Sequence, residues 1–233
     1  MLTTIYALLF YVAFVVLIGG VIYRISQYAR TPIPLKIPVT PAPVTRGGVV
    51  LRMVREVVLF ESLFKSNKWI WLFGWIFHFG LLLVLLRHLR YFTQPVWGWV
   101  ALIQPFGVYA GYALVAGLAA LWLRRVVVPR VRYITAPSDH LMLALLVAIA
   151  GSGLSMKYVD PTNIIAVKAF FQGLMYFDWQ PMPADPVLLI HLGLVATLMI
   201  IFPVSKLLHA PGLFFAPSRT MVDNPREKRY LPS

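Results

Sequence analysis

Residues 75–92 read WIFHFGLLLVLLRHLRYF, and this stretch decides the fold. His78 stands alone among apolar side chains until Arg87, His88 and Arg90 close the run. Extended upstream to Trp69, the run is long and apolar enough to cross a bilayer as a helix. Residues 188–210, LLIHLGLVATLMIIFPVSKLLHA, repeat the design with His191 near one end and His209 at the other. Outward from these two, apolar stretches predict five spans, at residues 4–23, 69–89, 103–123, 139–156 and 186–208. The chain has 233 residues, 60% of them hydrophobic and 12% charged, with mean hydropathy +0.77. The expected fold is all-α: a polytopic membrane protein with one five-helix bundle domain over residues 1–233.

The net charge of +13 is distributed by loop rather than gathered into a nucleic-acid-binding face. Eight Lys/Arg lie in residues 24–68, four follow span three and five follow span five. Only Arg87 and Arg90 follow span two, and only Lys157 and Lys168 follow span four. By the positive-inside rule the N-terminus lies outside. Residues 24–68 then form a cytoplasmic loop and residues 209–233 a cytoplasmic tail. The setting is the cytoplasmic (inner) membrane of a bacterium or archaeon. The first apolar run has no basic residue before it and no small-x-small cleavage site, so it reads as a retained helix rather than a signal peptide.

Cysteine is absent. Thiolate-held iron–sulfur clusters, covalently attached haem and disulfides are therefore excluded for this chain. Any cluster belongs to a partner.

Two loops carry structure. The segment TPIPLKIPVTPAP holds five prolines and is expected to be extended. The following VVLRMVREVVLFESLFKSNKW, residues 49–69, has apolar residues at helical spacing between Arg52, Arg55, Glu56 and Lys65. It predicts an amphipathic helix at the inner surface, an interfacial anchor that also offers a docking platform for a cytoplasmic subunit. On the outer side IIAVKAFFQGLMYFDW, residues 164–179, is too short and polar to span, and is expected to lie along the surface where a quinone headgroup enters.

The four span histidines carry the chemistry. An imidazole inside a bilayer is costly unless something engages it. Two pairs on two helices supply four ligands, enough for two bis-histidine haems. The eighteen residues separating His191 from His209 rise about 27 Å along a helix and return to the same face. The ten separating His78 from His88 rise about 15 Å, with an angular offset of about 80°. Pro203 lies between the second pair and is a kink candidate. Antiparallel passage sets His78 against His209 on the cytoplasmic side and His88 against His191 on the outer side. In span two the second ring nitrogens should find backbone carbonyls, because no acid is near. Arg87 and Arg90 suit the outer haem's propionates and Lys206 the inner one's, with interfacial snorkelling as the alternative. His140, at the start of span four, is set aside as a surface or interfacial residue. No H-E-x-x-H occurs, so a zinc protease is not supported.

The His-x9-His and His-x17-His spacings resemble those of the dihaem cytochrome b (gamma) subunits of respiratory nitrate reductases. So do RRVVVPRVRYITAPSDHLMLALLVAIAGSGL at residues 124–154 and FPVSKLLH at residues 202–209. The resemblance covers all five spans. It implies two haem b, with His78 and His209 ligating the inner iron and His88 and His191 the outer. It also implies menaquinone or ubiquinone as substrate. Within this superfamily, residues 34–71 are most similar to the DsrM-type membrane subunit of the dissimilatory-sulfite-reductase-linked complex. That likeness implies sulfur-compound metabolism and a cytoplasmic iron–sulfur partner of heterodisulfide-reductase type. Further periplasmic and membrane redox subunits would complete the complex. The nitrate-reductase subunits carry a quinol-contacting lysine near the start of span three. Residues 91–123 here contain no lysine or arginine, and Thr93, Gln104 or Lys168 are the substitutes.

The expected function is electron transfer between the quinone pool and that cytoplasmic partner, in either direction. A gamma-type quinol oxidase subunit of a nitrate reductase and a haem-free anchor for a soluble enzyme are the alternatives. A transporter is disfavoured because the spans contain almost no acids.

Overall fold

The computed structural model describes residues 1–32 and 41–223. Most of the proline-rich segment lies outside the described residues, as do Lys36, Arg226, Lys228 and Arg229. Among the described residues the regular structure is helical: α1 (Leu2–Arg30), α2 (Arg46–Leu59), α3 (Glu61–Ser66), α4 (Lys68–His88), α5 (Gly98–Val127), α6 (Pro129–Ile134), α7 (Pro137–Tyr158), α8 (Ile164–Tyr176) and α9 (Pro186–Ile201), then short turns that include α10 (His209–Gly212) and α11 (Pro217–Thr220). Five segments are long and apolar enough to span: Leu2–Arg30, Lys68–Tyr91, Gly98–Val127, Pro137–Tyr158 and Pro186–Val204. They coincide with the five expected stretches, and the chain is a multi-pass membrane protein. Large apolar side chains such as Phe14, Val15, Leu82, Leu102 and Ile190 face outward along them, where hydrocarbon rather than water is the solvent.

The chain divides into two compact units. The first comprises Met1–Phe14 and Lys68–Met199. In it α4 and α5 pack antiparallel at a seam of glycines. A Cβ on Gly80 would come 3.0 Å from the Ala110 carbonyl oxygen, and one on Gly117 would come 2.9 Å from the Phe77 backbone nitrogen. In a membrane, where apolar surface alone does not drive helices together, such backbone approach supplies the packing. Phe77, Leu114, Leu118 and Ala150 bury together where α7 joins this pair.

A second core in the same unit joins α1, α8 and α9 through Ala7, Phe10, Val167, Phe170, Leu174, Leu188 and Leu192, with Met182 from the preceding loop. Here α8 does more than lie on a surface, since Phe170 is fully buried. Asn163 starts α8 by accepting from the Ile165 and Ala166 amides. Asp185 starts α9 in the same way, accepting from the Val187 amide at 2.9 Å. Tyr6 and Tyr11 of α1 donate to the Leu189 and Leu174 carbonyls, both at 2.9 Å, so phenols buried in apolar surroundings have partners.

The second unit holds the described parts of Val15–Asn67 and Ile200–Ser233. Its surface segment is not the single amphipathic helix expected over residues 49–69. It breaks at Phe60, whose φ of 50° lies in the left-handed region. Glu56 holds the break by accepting from the Ser62 amide at 3.2 Å, and Arg219 donates to the same carboxylate at 2.8 Å. Glu61 pairs with Arg55 and Lys65.

The fifth span is also corrected. Its α-helix stops at Ile201 and is followed by 3-10 turns at Phe202–Val204 and Lys206–Leu208, with Ser205 extended between them. Proline at 203 has no N–H for the helical ladder, and its ring crowds the carbonyl four residues back. Ser205 then opens the next turn by accepting from the Leu207 amide at 3.2 Å. The Pro203 carbonyl accepts from Arg24 Nε at 3.4 Å, and Pro203 packs against Gly20, where a Cβ would approach to 2.6 Å. His191 and His209 therefore do not stand on one continuous helix.

Candidate functional site

The four span histidines share one hydrogen-bonding pattern. His78 Nδ1 lies 2.7 Å from the Gly74 carbonyl and His88 Nδ1 lies 2.6 Å from the Val84 carbonyl, each four residues back along α4. His209 Nδ1 lies 2.9 Å from the Lys206 carbonyl, three residues back. A carbonyl only accepts, so each Nδ1 carries a proton, and in a neutral ring the lone pair is then on Nε2. His191 reaches the same state by another route. Its Nδ1 lies 2.9 Å from Ser152 Oγ, and that hydroxyl lies 2.7 Å from the Ala148 carbonyl and 3.0 Å from the Ile149 carbonyl. The single hydroxyl proton goes to a carbonyl, leaving the oxygen to accept from His191.

His140 differs. Its Nδ1 accepts from the Trp122 indole N–H at 2.9 Å, and indole is donor-only. The fifth histidine is thus in the opposite tautomer, half-buried at the α5–α7 contact rather than simply interfacial.

His88 and His191 both belong to the first unit. His191 is buried and His88 is exposed. His78, half-buried on α4, belongs to this unit too, and His209 to the second. No three or more His, Asp or Glu side chains cluster among the described residues as they would around a multi-ligand metal ion.

This donor set fits haem. Axial imidazoles bind iron through one nitrogen while the other N–H is held by a carbonyl or hydroxyl. A second observation concerns charge. Beside His88, Arg90 donates from Nη1 to Gln104 Oε1 at 3.1 Å and from Nη2 to the Tyr91 hydroxyl at 3.0 Å. Its Nε is buried with no hydrogen-bond partner, a donor that suits a propionate oxygen. The Arg87 stem lies against Gly107, where a Cβ would come within 2.6 Å of Arg87 Cδ.

Gln104, one of the candidate quinone contacts, is used internally. Its Nε2 donates to the Arg87 carbonyl at 3.2 Å and the Val100 carbonyl at 3.1 Å, tying α5 to the end of α4. Thr93 donates to the Leu89 carbonyl at 3.2 Å, and Lys168 donates to the Gln94 side chain. Ser152 escaped the sequence reading. Its signal was there as a hydroxyl set between two glycines, in AIAGSGL.

Residues 47–228 match the sequence model of the nitrate reductase gamma subunit. The chain belongs to the nitrate reductase gamma subunit family. Within and around that family, it is 36% identical to the Hdr-like menaquinol oxidoreductase cytochrome b-like subunit of Archaeoglobus fulgidus, over 95% of this chain and 80% of the relative. Its counterpart in Archaeoglobus profundus is 33% identical over the same shares. The respiratory nitrate reductase 1 gamma chain of Escherichia coli is a more distant gamma-family relative, 31% identical over 58% of this chain and 68% of that one.

Proposed function

We propose that this chain is a dihaem cytochrome b subunit that moves electrons between the membrane quinone pool and a cytoplasmic iron–sulfur partner. The observation that carries the reading is the shared bonding of His78, His88, His191 and His209, each with its Nδ1 against an oxygen acceptor. Haem b supplies reversible one-electron chemistry when bound. The chain's own part is to hold each imidazole in one tautomer, to exclude water and to place Arg90 as an anion partner.

His78 with His209 is assigned to the inner iron and His88 with His191 to the outer. Residues 1–233 act as one cytochrome domain, with the N-terminus outside and the basic loops and tail in the cytoplasm. Menaquinone is favoured as the quinone because the Archaeoglobus relatives are named as subunits of menaquinol oxidoreductases. The Hdr-like name of those relatives supports a partner of heterodisulfide-reductase-like type, with sulfur-compound metabolism as the proposed setting, and the absence of cysteine leaves any thiolate-held cluster to another subunit.

A pyridine haemochrome assay and redox spectrum of the purified protein test the proposal. Two non-covalent, low-spin haems b per chain are expected. None, one, or a covalently attached haem would overturn it.

A further inference from the structure

We propose that Ser152 is the positioning residue of His191, setting both its tautomer and the electron-donating strength of the nitrogen it offers. The inference rests on the haem reading above and goes beyond the ligand assignment. His78, His88 and His209 give their Nδ1 protons to carbonyls on their own segments. Those acceptors come with the backbone, and no side-chain substitution deletes them. His191 on α9 instead meets a hydroxyl from α7, so its orientation depends on one residue of a different helix.

The α7 backbone supports this contact. With its proton turned back to the Ala148 or Ile149 carbonyl, Ser152 aims an oxygen lone pair at the ring. Gly153 lies beside the ring as well, where a Cβ would make ordinary contact at 3.4 Å from Cε1. A hydrogen bond accepted from the distal N–H makes a ligating imidazole more basic. A more basic ligand favours the ferric state and lowers the reduction potential. A hydroxyl whose own proton is held by a carbonyl is a stronger acceptor than a free one, because chained hydrogen bonds polarise each other.

The test is potentiometric titration, in membranes carrying the complete complex, of the wild type, Ser152→Ala and Ser152→Thr. Threonine keeps a hydroxyl able to bond the same preceding carbonyls. In Ser152→Ala the haem component lost in His191→Ala should shift to higher potential while the other component stays fixed. Ser152→Thr should keep the wild-type potential. If Ser152→Ala loses that haem outright, the inference stands only where Ser152→Thr retains it. An unmoved potential in Ser152→Ala, equal shifts of both components, or identical behaviour of the two variants overturns it. A wild type without haem fails the functional proposal instead, so the two failures are distinguishable.

Discussion

His140 accepts a hydrogen bond from Trp122 through the ring nitrogen that His78 uses to donate to Gly74. One atom in two opposite roles separates the structural histidine from the candidate ligands. Spacing along the chain leaves His140 merely unpaired, whereas the tautomer gives it a definite job at the α5–α7 contact.

His140→Phe should therefore keep the full haem complement while weakening the fold. The indole N–H loses its acceptor, a cost of about 1–3 kcal/mol. Haem quantitation together with a thermal melt in detergent checks both halves. Loss of haem in this variant would mean that the tautomer criterion misassigns the ligands.

Loss of spectral components should follow the pairing. His88→Ala and His191→Ala should remove one component, and His78→Ala and His209→Ala the other. Low-temperature difference spectra of the four variants decide the matter. If His78→Ala and His88→Ala abolish the same component, the pairing is wrong.

The glycine seam between α4 and α5 should be intolerant of even one methyl group. At Gly117 the new Cβ would meet the Phe77 backbone rather than a movable side-chain tip. Gly117→Ala is expected to destabilise the helix pair by about 1–3 kcal/mol. Gly193→Ala, where nothing lies within 4 Å of the added atom, is the control and should be nearly neutral. Detergent unfolding midpoints compare the two directly.

At the surface helices, Glu61 is held below its ordinary carboxylate value. The hydrogen bond from Lys65 is the largest cause; partial burial opposes it, and the charges of Arg55, Lys65 and Arg52 reinforce it. A depressed pKa contributes stability that is fully present above the unfolded value of about 4.3 and fades as pH falls through the folded one. Amide protection in α3, taken relative to the intrinsic exchange rate at each pH, should thus be steady from neutral pH to about pH 5 and fall below that window. Glu61→Gln should flatten this dependence, and an unchanged profile would remove Glu61 from the account.

The five spans were legible in the sequence because a bilayer demands about twenty apolar residues in a row, and runs like residues 75–92 leave no other reading. The carbonyl partners of His78 and His88 were legible for the same reason, since an apolar helix without acids offers only its backbone. What escaped were features made by contact between distant segments. The turn at Phe60 depends on Glu56 and Arg219, which lie far apart in the chain. The Ser152 acceptor depends on α7 meeting α9, and one serine in AIAGSGL does not announce which ring it faces. Pro203 was visible as a kink, but the Ser205-capped turns beyond it and the contact of its own carbonyl with Arg24 were not.

That stop at Ile201 separates two local frames. Along an unbroken helix, inserting or deleting one residue swings everything beyond it by about 100°, so two rings on one rod share one register. Here Ser205 opens a new turn, and His209 has its own local bond to the Lys206 carbonyl. Orientation of the His209 ring is therefore written in the turn that carries it rather than inherited from the register of α9.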